Sequence, residues 1–251
     1  MHRALTLWGS SIGQKAIVAV TGLILIGFLT GHLAGNLLVF AGPEAFNGYA
    51  AALHAKPPLV WGTRVVVLLA FVVHIRLTIL LARRNAAARP VGYSKARQDQ
   101  LTTYAARTMI LSGPLLGAYV VFHLAHFTVP GLDLGGPFSH TNIYLNLVRG
   151  FRIWWVSAIY IFANFLLGLH LYHGAWSALQ TLGLQHPKWD ALRQRLAVGF
   201  GVLVAAGFIS IPIAVQARIV GTEEQLTESA SFPSAVESAD ETPEALTPEG
   251  E

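Results

Sequence analysis

Imidazole can bind a metal, carry a proton or bridge two polar groups, and this chain places it where little else polar is found. The stretch 167–183 reads LGLHLYHGAWSALQTLG and holds His170 and His173. It closes an uncharged run that begins at Ile153, longer than the roughly 20 residues that cross a bilayer. A polar ring in hydrocarbon is unfavourable unless something engages it, so an intramembrane histidine is a functional hypothesis by default. Other apolar runs carry His32, His74, His123 and His126.

The elements that must position these rings are membrane helices. The chain has 251 residues, of which 53% are hydrophobic and only 12% charged, with a mean hydropathy of +0.52. That composition describes a polytopic membrane protein. Hydropathy predicts an all-α fold with five spans at 16–41, 59–82, 108–129, 153–180 and 196–217. Pro114 should bend the third span near its start, and Pro212 falls near the end of the fifth. Residues 1–220 then form one transmembrane domain. Residues 221–251, rich in Glu, Ser, Thr and Pro, read as a disordered acidic tail.

Charge and composition also exclude functions. There are no cysteines, so this chain supplies no disulfide, no thiolate for an iron–sulfur cluster and no thioether for a covalent haem. The opening residues lack a short apolar core with a small-residue cleavage site, so the first apolar run is expected to stay as a span. Nine of the thirteen acidic residues follow Gly221, which leaves the membrane portion strongly basic. No recognition element for nucleic acid accompanies that charge, and headgroups or soluble partners are the expected contacts. With the N-terminus inside, eleven basic residues lie on the cytoplasmic side against five outside, so the N-terminus is expected in the cytoplasm. All six tryptophans fall near predicted span ends, as an interfacial belt requires.

Each of the first four spans offers a histidine. Counted from the span ends, His32 and His123 lie roughly 25 Å from the cytoplasmic end, and His74 and His170 roughly 14 Å in. The four form two pairs, His32 with His123 and His74 with His170, each joining two helices. Two facing imidazoles at one depth are what a six-coordinate haem iron needs. Two such irons would be separated by roughly 11 Å along the normal. Gly27, Gly31 and Gly35 form a stripe around His32 that serves either close helix packing or a macrocycle. A structural hydrogen bond would explain one histidine more readily than four. A proton or ion pathway is the other reading, but no carboxylate lies inside any span. His126 and His173 follow His123 and His170 by three residues and are expected to hydrogen-bond a propionate, a carbonyl or a quinone. His2, His54, His140 and His186 fall in loops or tails and read as solvated.

Three long stretches carry a resemblance. They are SSIGQKAIVAVTGLILIGFLTGHLAGNLLVFAGPEAFNGYAAALH, RTMILSGPLLGAYVVFHLAHFT, and LGLHLYHGAWSALQTLGLQHP with GFISIPIAV. Over about 10–220 the chain resembles the di-haem, five-helix cytochrome b anchor subunit of succinate dehydrogenase and the related fumarate reductases. The resemblance implies that one histidine from each of the first four helices ligates haem iron. These are His32 in GHLAGN, His74 in the second span, His123 about ten residues after Gly113, and His170 four before the glycine of HLYHGAWS. It implies two b haems stacked in the bundle of the first four helices. It also implies a flavoprotein and an iron–sulfur subunit on the cytoplasmic side, and electrons passing through inner and outer haem to a quinone, with menaquinone expected. The reverse direction would be fumarate reduction. The place implied is the respiratory chain of a cell inner (cytoplasmic) membrane, as a multi-pass subunit within a complex that can assemble further.

On this reading the chain does no succinate chemistry itself and reacts only with the quinone. Some relatives have a glutamate just before the fourth-span ligand; here the region reads LLGLH, with Gly168 and no acid, so that proton path is not carried over. The inner loops 83–107 and 181–195 would dock the soluble subunits, or simply supply the positive-inside signal. Arg76 lies about 200° round the helix from His74 and either snorkels to the interface or pairs with a propionate. Glu44, Asn47 and Tyr49 either cap a loop or border a quinone. The competing readings are a cytochrome b anchor of another respiratory oxidoreductase and a histidine-lined proton-coupled transporter.

Overall fold

Five helices are long and apolar enough to cross a membrane, and there is no strand among the described residues. The computed structural model describes residues 8–88, 104–128, 132 and 134–231. The spanning helices are α1 (Ser11–Leu37, continued by a 3-10 turn, Leu38–Ala41), α3 (Pro57–Ala87), α4 (Tyr104–Phe127), α6 (Trp154–Thr181) and α7 (Pro187–Gln216). Three short helices lie between or after them: α2 (Pro43–His54), α5 (Ile143–Arg152) and α8 (Glu223–Ala230). Together these make a multi-pass membrane protein.

Local sequence sets the ends. The Ser10 hydroxyl accepts from Gly13 N at 3.0 Å and caps α1. Gly42 takes φ +99°, a conformation that L side chains rarely adopt, and turns the chain into α2 with Pro43 at its first position. α3 and α7 also begin on proline. α7 starts nine residues before the fifth span expected from hydropathy, because His186 caps Lys188 N and Pro187 is preset for helix. The inner loop expected at 181–195 is therefore mostly helical. Pro114 stands well inside α4 instead of near its start, since that helix begins at Tyr104. Arg89, Lys95 and Arg97 of the other inner loop lie outside the described residues.

α6 is the most buried of the five spans and α3 the least. α6 pairs with α7, α1 and α4, while α3 leans on α1. The order of close neighbours is thus α3, α1, α6, α4, with α7 behind α1 and α6. Leu33, Leu171 and Val204 form the core where α1, α6 and α7 meet. At the crossing of α6 and α7 the backbones touch: a Cβ added to Gly201 would stand 2.6 Å from Gly168 O, and one on Gly168 would stand 2.8 Å from Ala205 Cβ. Small residues at such crossings let helices approach closely in lipid. Gly168 thus has a packing role where an acid was weighed. At the opposite end, Arg84 Nη1 donates to Gln14 Oε1 at 2.8 Å and Gln14 Nε2 to Trp8 O at 2.7 Å, tying α3 to α1.

The three short helices build a cap over one end of the bundle. α5 is amphipathic, with Tyr144, Leu147, Val148 and Phe151 buried at helical spacing. These pack with Val39, Phe46, Val156, Ile211 and Val215. Asn142 is the hub. Its Oδ1 accepts from Leu145 N (3.0 Å), Asn47 Nδ2 (3.2 Å) and Ser229 Oγ (2.7 Å), and its Nδ2 donates to Ser229 O (2.7 Å). The Tyr144 hydroxyl donates to Gln225 Oε1 at 2.9 Å and accepts from Gly221 N at 3.0 Å. Burial pushes that phenol's pKa up, with nearby Glu228 adding to the rise and the Gly221 N–H and Arg152 opposing it.

α8 corrects the expected tail. Residues 223–230 are helical, started by a capping box of Thr222 and Gln225, and residues 232–251 lie outside the described residues. Asn142→Ala should lower stability by about 1–3 kcal/mol, since it strands buried partners on α2 and α8. Thermal unfolding in detergent, with proteolysis at α8 as a second readout, checks this; an unchanged midpoint would contradict it.

Candidate functional site

The histidines gather at two levels. At the first, His32 of α1 stacks on Phe28 (centroids 5.4 Å, 16°) and leans on Phe208 of α7 (6.0 Å). Its ring centroid lies 5.9 Å from that of His123 on α4, at 83°. His123 Nδ1 is 3.2 Å from the Tyr160 hydroxyl of α6. Tyr119 and Phe127 complete the aromatic wall around it.

At the second level, His74 of α3 rests on α1. A Cβ on Gly22 would stand 3.3 Å from His74 Cε1, so the small residue makes room for the ring. His74 Nδ1 lies 3.2 Å from Val18 O and 3.2 Å from Thr21 Oγ1. The Thr21 hydroxyl has its own acceptor in Ile17 O at 2.8 Å, so Nδ1–H donates and Nε2 keeps its lone pair. A backbone carbonyl on one imidazole nitrogen is how a ligating histidine is oriented. His170 of α6 lies within electrostatic range of His74 and of His173. The Nδ1 atoms of His170 and His173, and Trp176 Nε1, are buried without a hydrogen-bond partner. Three orphan polar atoms within two turns of one helix are unusual, and each needs an explanation.

Two helices measure the gap between levels. On α1, Gly22 under His74 and His32 are ten residues apart; on α6, Tyr160 beside His123 and His170 are also ten apart. Ten residues rise about 15 Å. Counting from the span ends alone gives roughly 11 Å.

The residues fit the expected group. Among the described residues no cluster of three His, Cys, Asp or Glu could hold a bare metal ion. Paired imidazoles need the remaining ligands from a macrocycle, as haem supplies. An iron between two imidazoles at about 2 Å each puts ring centroids about 6 Å apart, which His32 and His123 match. Cβ atoms added to Gly27, Gly31, Gly113, Gly117 or Gly174 would meet nothing within 4 Å. The glycine stripe of α1 therefore divides: Gly35 packs on Tyr49, whose ring a Cβ would meet at 2.6 Å, while Gly27 and Gly31 border open space.

Other expected residues fall elsewhere. Asn47 is a loop cap, fully buried, with Oδ1 accepting from Tyr144 N at 2.9 Å. Arg76 is exposed and lines a surface groove of about 550 Å³ with Phe71, Val72, Ile75, Ile79, Leu80 and Arg83. Trp176 departs from the interfacial belt, its Nε1 being buried, whereas the other five tryptophans are exposed. The sequence reading missed Tyr160, whose hydroxyl also lies 3.0 Å from His126 Nδ1. Comparison with known family models, curated proteins and solved structures found no match to this chain.

Proposed function

We propose that this chain is the di-haem cytochrome b anchor of a succinate:quinone oxidoreductase, carrying electrons from an iron–sulfur subunit to a membrane quinone. The observation that carries the reading is the juxtaposition of His32 and His123, 5.9 Å apart although far separated in sequence, above a second level at which His74 is tethered through Nδ1. His32 and His123 would hold one b haem, and His74 and His170 the other. When bound, these groups accept and release single electrons. The protein's part is to hold each imidazole, exclude water with the Tyr119–Phe127–Tyr160 wall, and fix the spacing between levels. The assignment to succinate oxidation rests on the resemblance of the quoted stretches, as do menaquinone as acceptor and the reverse, fumarate-reducing direction.

The same reading sets the N-terminus on the cytoplasmic face of the cell membrane. Flavoprotein and iron–sulfur subunits would dock there against Arg83 and Arg84 at the end of α3 and the cationic first turns of α7, which carry Lys188, Arg193 and Arg195. The test is the reduced-minus-oxidised visible spectrum of the purified chain, with haem counted per polypeptide. Two b-type haems are expected. None, in a folded chain made with ample haem, would overturn the reading in favour of a transporter. Two haems with a hydrogenase or formate dehydrogenase as the co-purifying partner would replace the succinate assignment alone.

A further inference from the structure

The Tyr160 hydroxyl stands between two imidazoles, 3.2 Å from His123 Nδ1 and 3.0 Å from His126 Nδ1. The ring is locked in place, edge-on to Phe151 at 4.8 Å and to Tyr119 at 5.2 Å. His126 is 5% exposed and lies against α5, where a Cβ on Gly150 would stand 2.5 Å from its Nε2 and 2.7 Å from its Cε1. Only a glycine at 150 lets His126 reach the tyrosine. Three elements thus converge on one hydroxyl: α4 brings both histidines, α6 the tyrosine, and α5 the seat for His126.

Hydrogen-bond accounting then fixes the protons. A neutral imidazole has one donor and one acceptor nitrogen, and a phenol has one hydrogen to give. If His123 keeps Nε2 free as a ligand, its proton is on Nδ1 and is donated to the Tyr160 oxygen. The phenol hydrogen is then available to His126 Nδ1, which leaves the His126 proton on Nε2 over Gly150. Both bonds to the hydroxyl are then made.

We propose that Tyr160 is the positioning residue of the first histidine level, orienting the His123 imidazole and selecting its tautomer, with His126 seated on Gly150 as the acceptor that holds the hydroxyl in register. This rests on the haem reading above and adds a role the resemblance did not supply. It also gives the two levels different supports: His74 is oriented by backbone, through Val18 O, and His123 by a side chain. The first level is therefore the one that a single side-chain change can loosen without removing a ligand.

The experiment uses the full chain, purified with its haems, as wild type, Tyr160→Phe, Gly150→Ala and Tyr172→Phe. The readouts are the rate at which each haem passes to an apo-haem acceptor and the low-spin paramagnetic resonance signal of each haem. Loss of a partner that orients a metal ligand weakens metal binding on the order of 10–100-fold. Tyr160→Phe should speed release of one haem by about that factor and shift its signal, leaving the other unchanged. Gly150→Ala, which pushes His126 off the hydroxyl, should move the same haem in the same direction by less. Tyr172→Phe removes a hydroxyl of the same helix that accepts from Gln194 Nε2 at 3.1 Å and touches neither His123 nor His126, and should leave both haems as in wild type.

Unaltered release and signals in Tyr160→Phe, with two haems in the wild type, would overturn this proposal alone. An equal effect from Tyr172→Phe would also overturn it, as general loosening. A wild-type chain without haem would overturn it together with the reading beneath it. Should Tyr160→Phe fail to fold, Gly150→Ala decides: no change at either haem rejects the role.

Discussion

His32→Ala should abolish one of two haems and keep the other, and His74→Ala should do the reverse. The two imidazoles sit on different helices and at different levels: His32 is beside His123 at 5.9 Å, and His74 is bound to Val18 O. Each change removes one of the two imidazoles that would hold an iron. The nearest other histidines, His126 and His173, stand on the same helices as the surviving partners, His123 and His170, so neither can replace the lost ligand from the facing helix. The expected loss is therefore nearly complete at one site, measured as pyridine haemochromogen per chain. His173→Ala and His54→Ala should retain two haems each. If His32→Ala and His74→Ala both kept two haems, the pairing would be wrong. If either lost both, the levels would be coupled through folding and not held independently.

The second large effect concerns the crossing of α6 and α7. Gly201→Val should destabilise the chain by about 1–3 kcal/mol, the range for overpacking a tight site. The atoms a new Cβ would strike are Gly168 O at 2.6 Å and Tyr172 N at 3.3 Å. Both are backbone, so relief requires moving a helix and not rotating a side chain. The helix propensity that valine recovers over glycine is only a few tenths of a kcal/mol, too little to offset the clash. α6 carries Tyr160, His170 and His173, so displacing it should also lower haem content at both levels. Unfolding in mixed micelles with rising dodecyl sulfate measures the change. A variant as stable as wild type would mean the helices can separate there without loss.

The spans and their histidines were legible because both signals are strong in lipid: apolar runs of fixed length, and polar rings that contrast with them. The short helices were harder. α2, α5 and α8 are not apolar runs, and hydropathy passes over them. Their signals were nonetheless present: Pro43 after a glycine, Asn142 ahead of Tyr144, Leu147, Val148 and Phe151 at helical spacing, and Thr222 three before Gln225. The early start of α7 was marked by Pro187, but the charged residues that follow it read as loop. Tyr160 could not have been singled out. In an aromatic-rich span nothing local distinguishes a lipid-facing ring from one whose hydroxyl meets two histidines from another helix. Gly150 was equally silent, since its meaning comes from what packs on it.

The ten-residue offset between histidine levels has an electrical consequence. About 15 Å of rise is half of the roughly 30 Å hydrocarbon thickness. A unit charge carried from one level to the other therefore moves through about half of any transmembrane voltage. At about 2.3 kcal/mol per 100 mV for a full crossing, that is about 1 kcal/mol for each 100 mV, or a factor of about five to seven in the equilibrium between levels. If the two levels hold haems as proposed, the occupancy of the two sites by an electron would depend on how energised the membrane is, and a relay built on this geometry would respond to voltage.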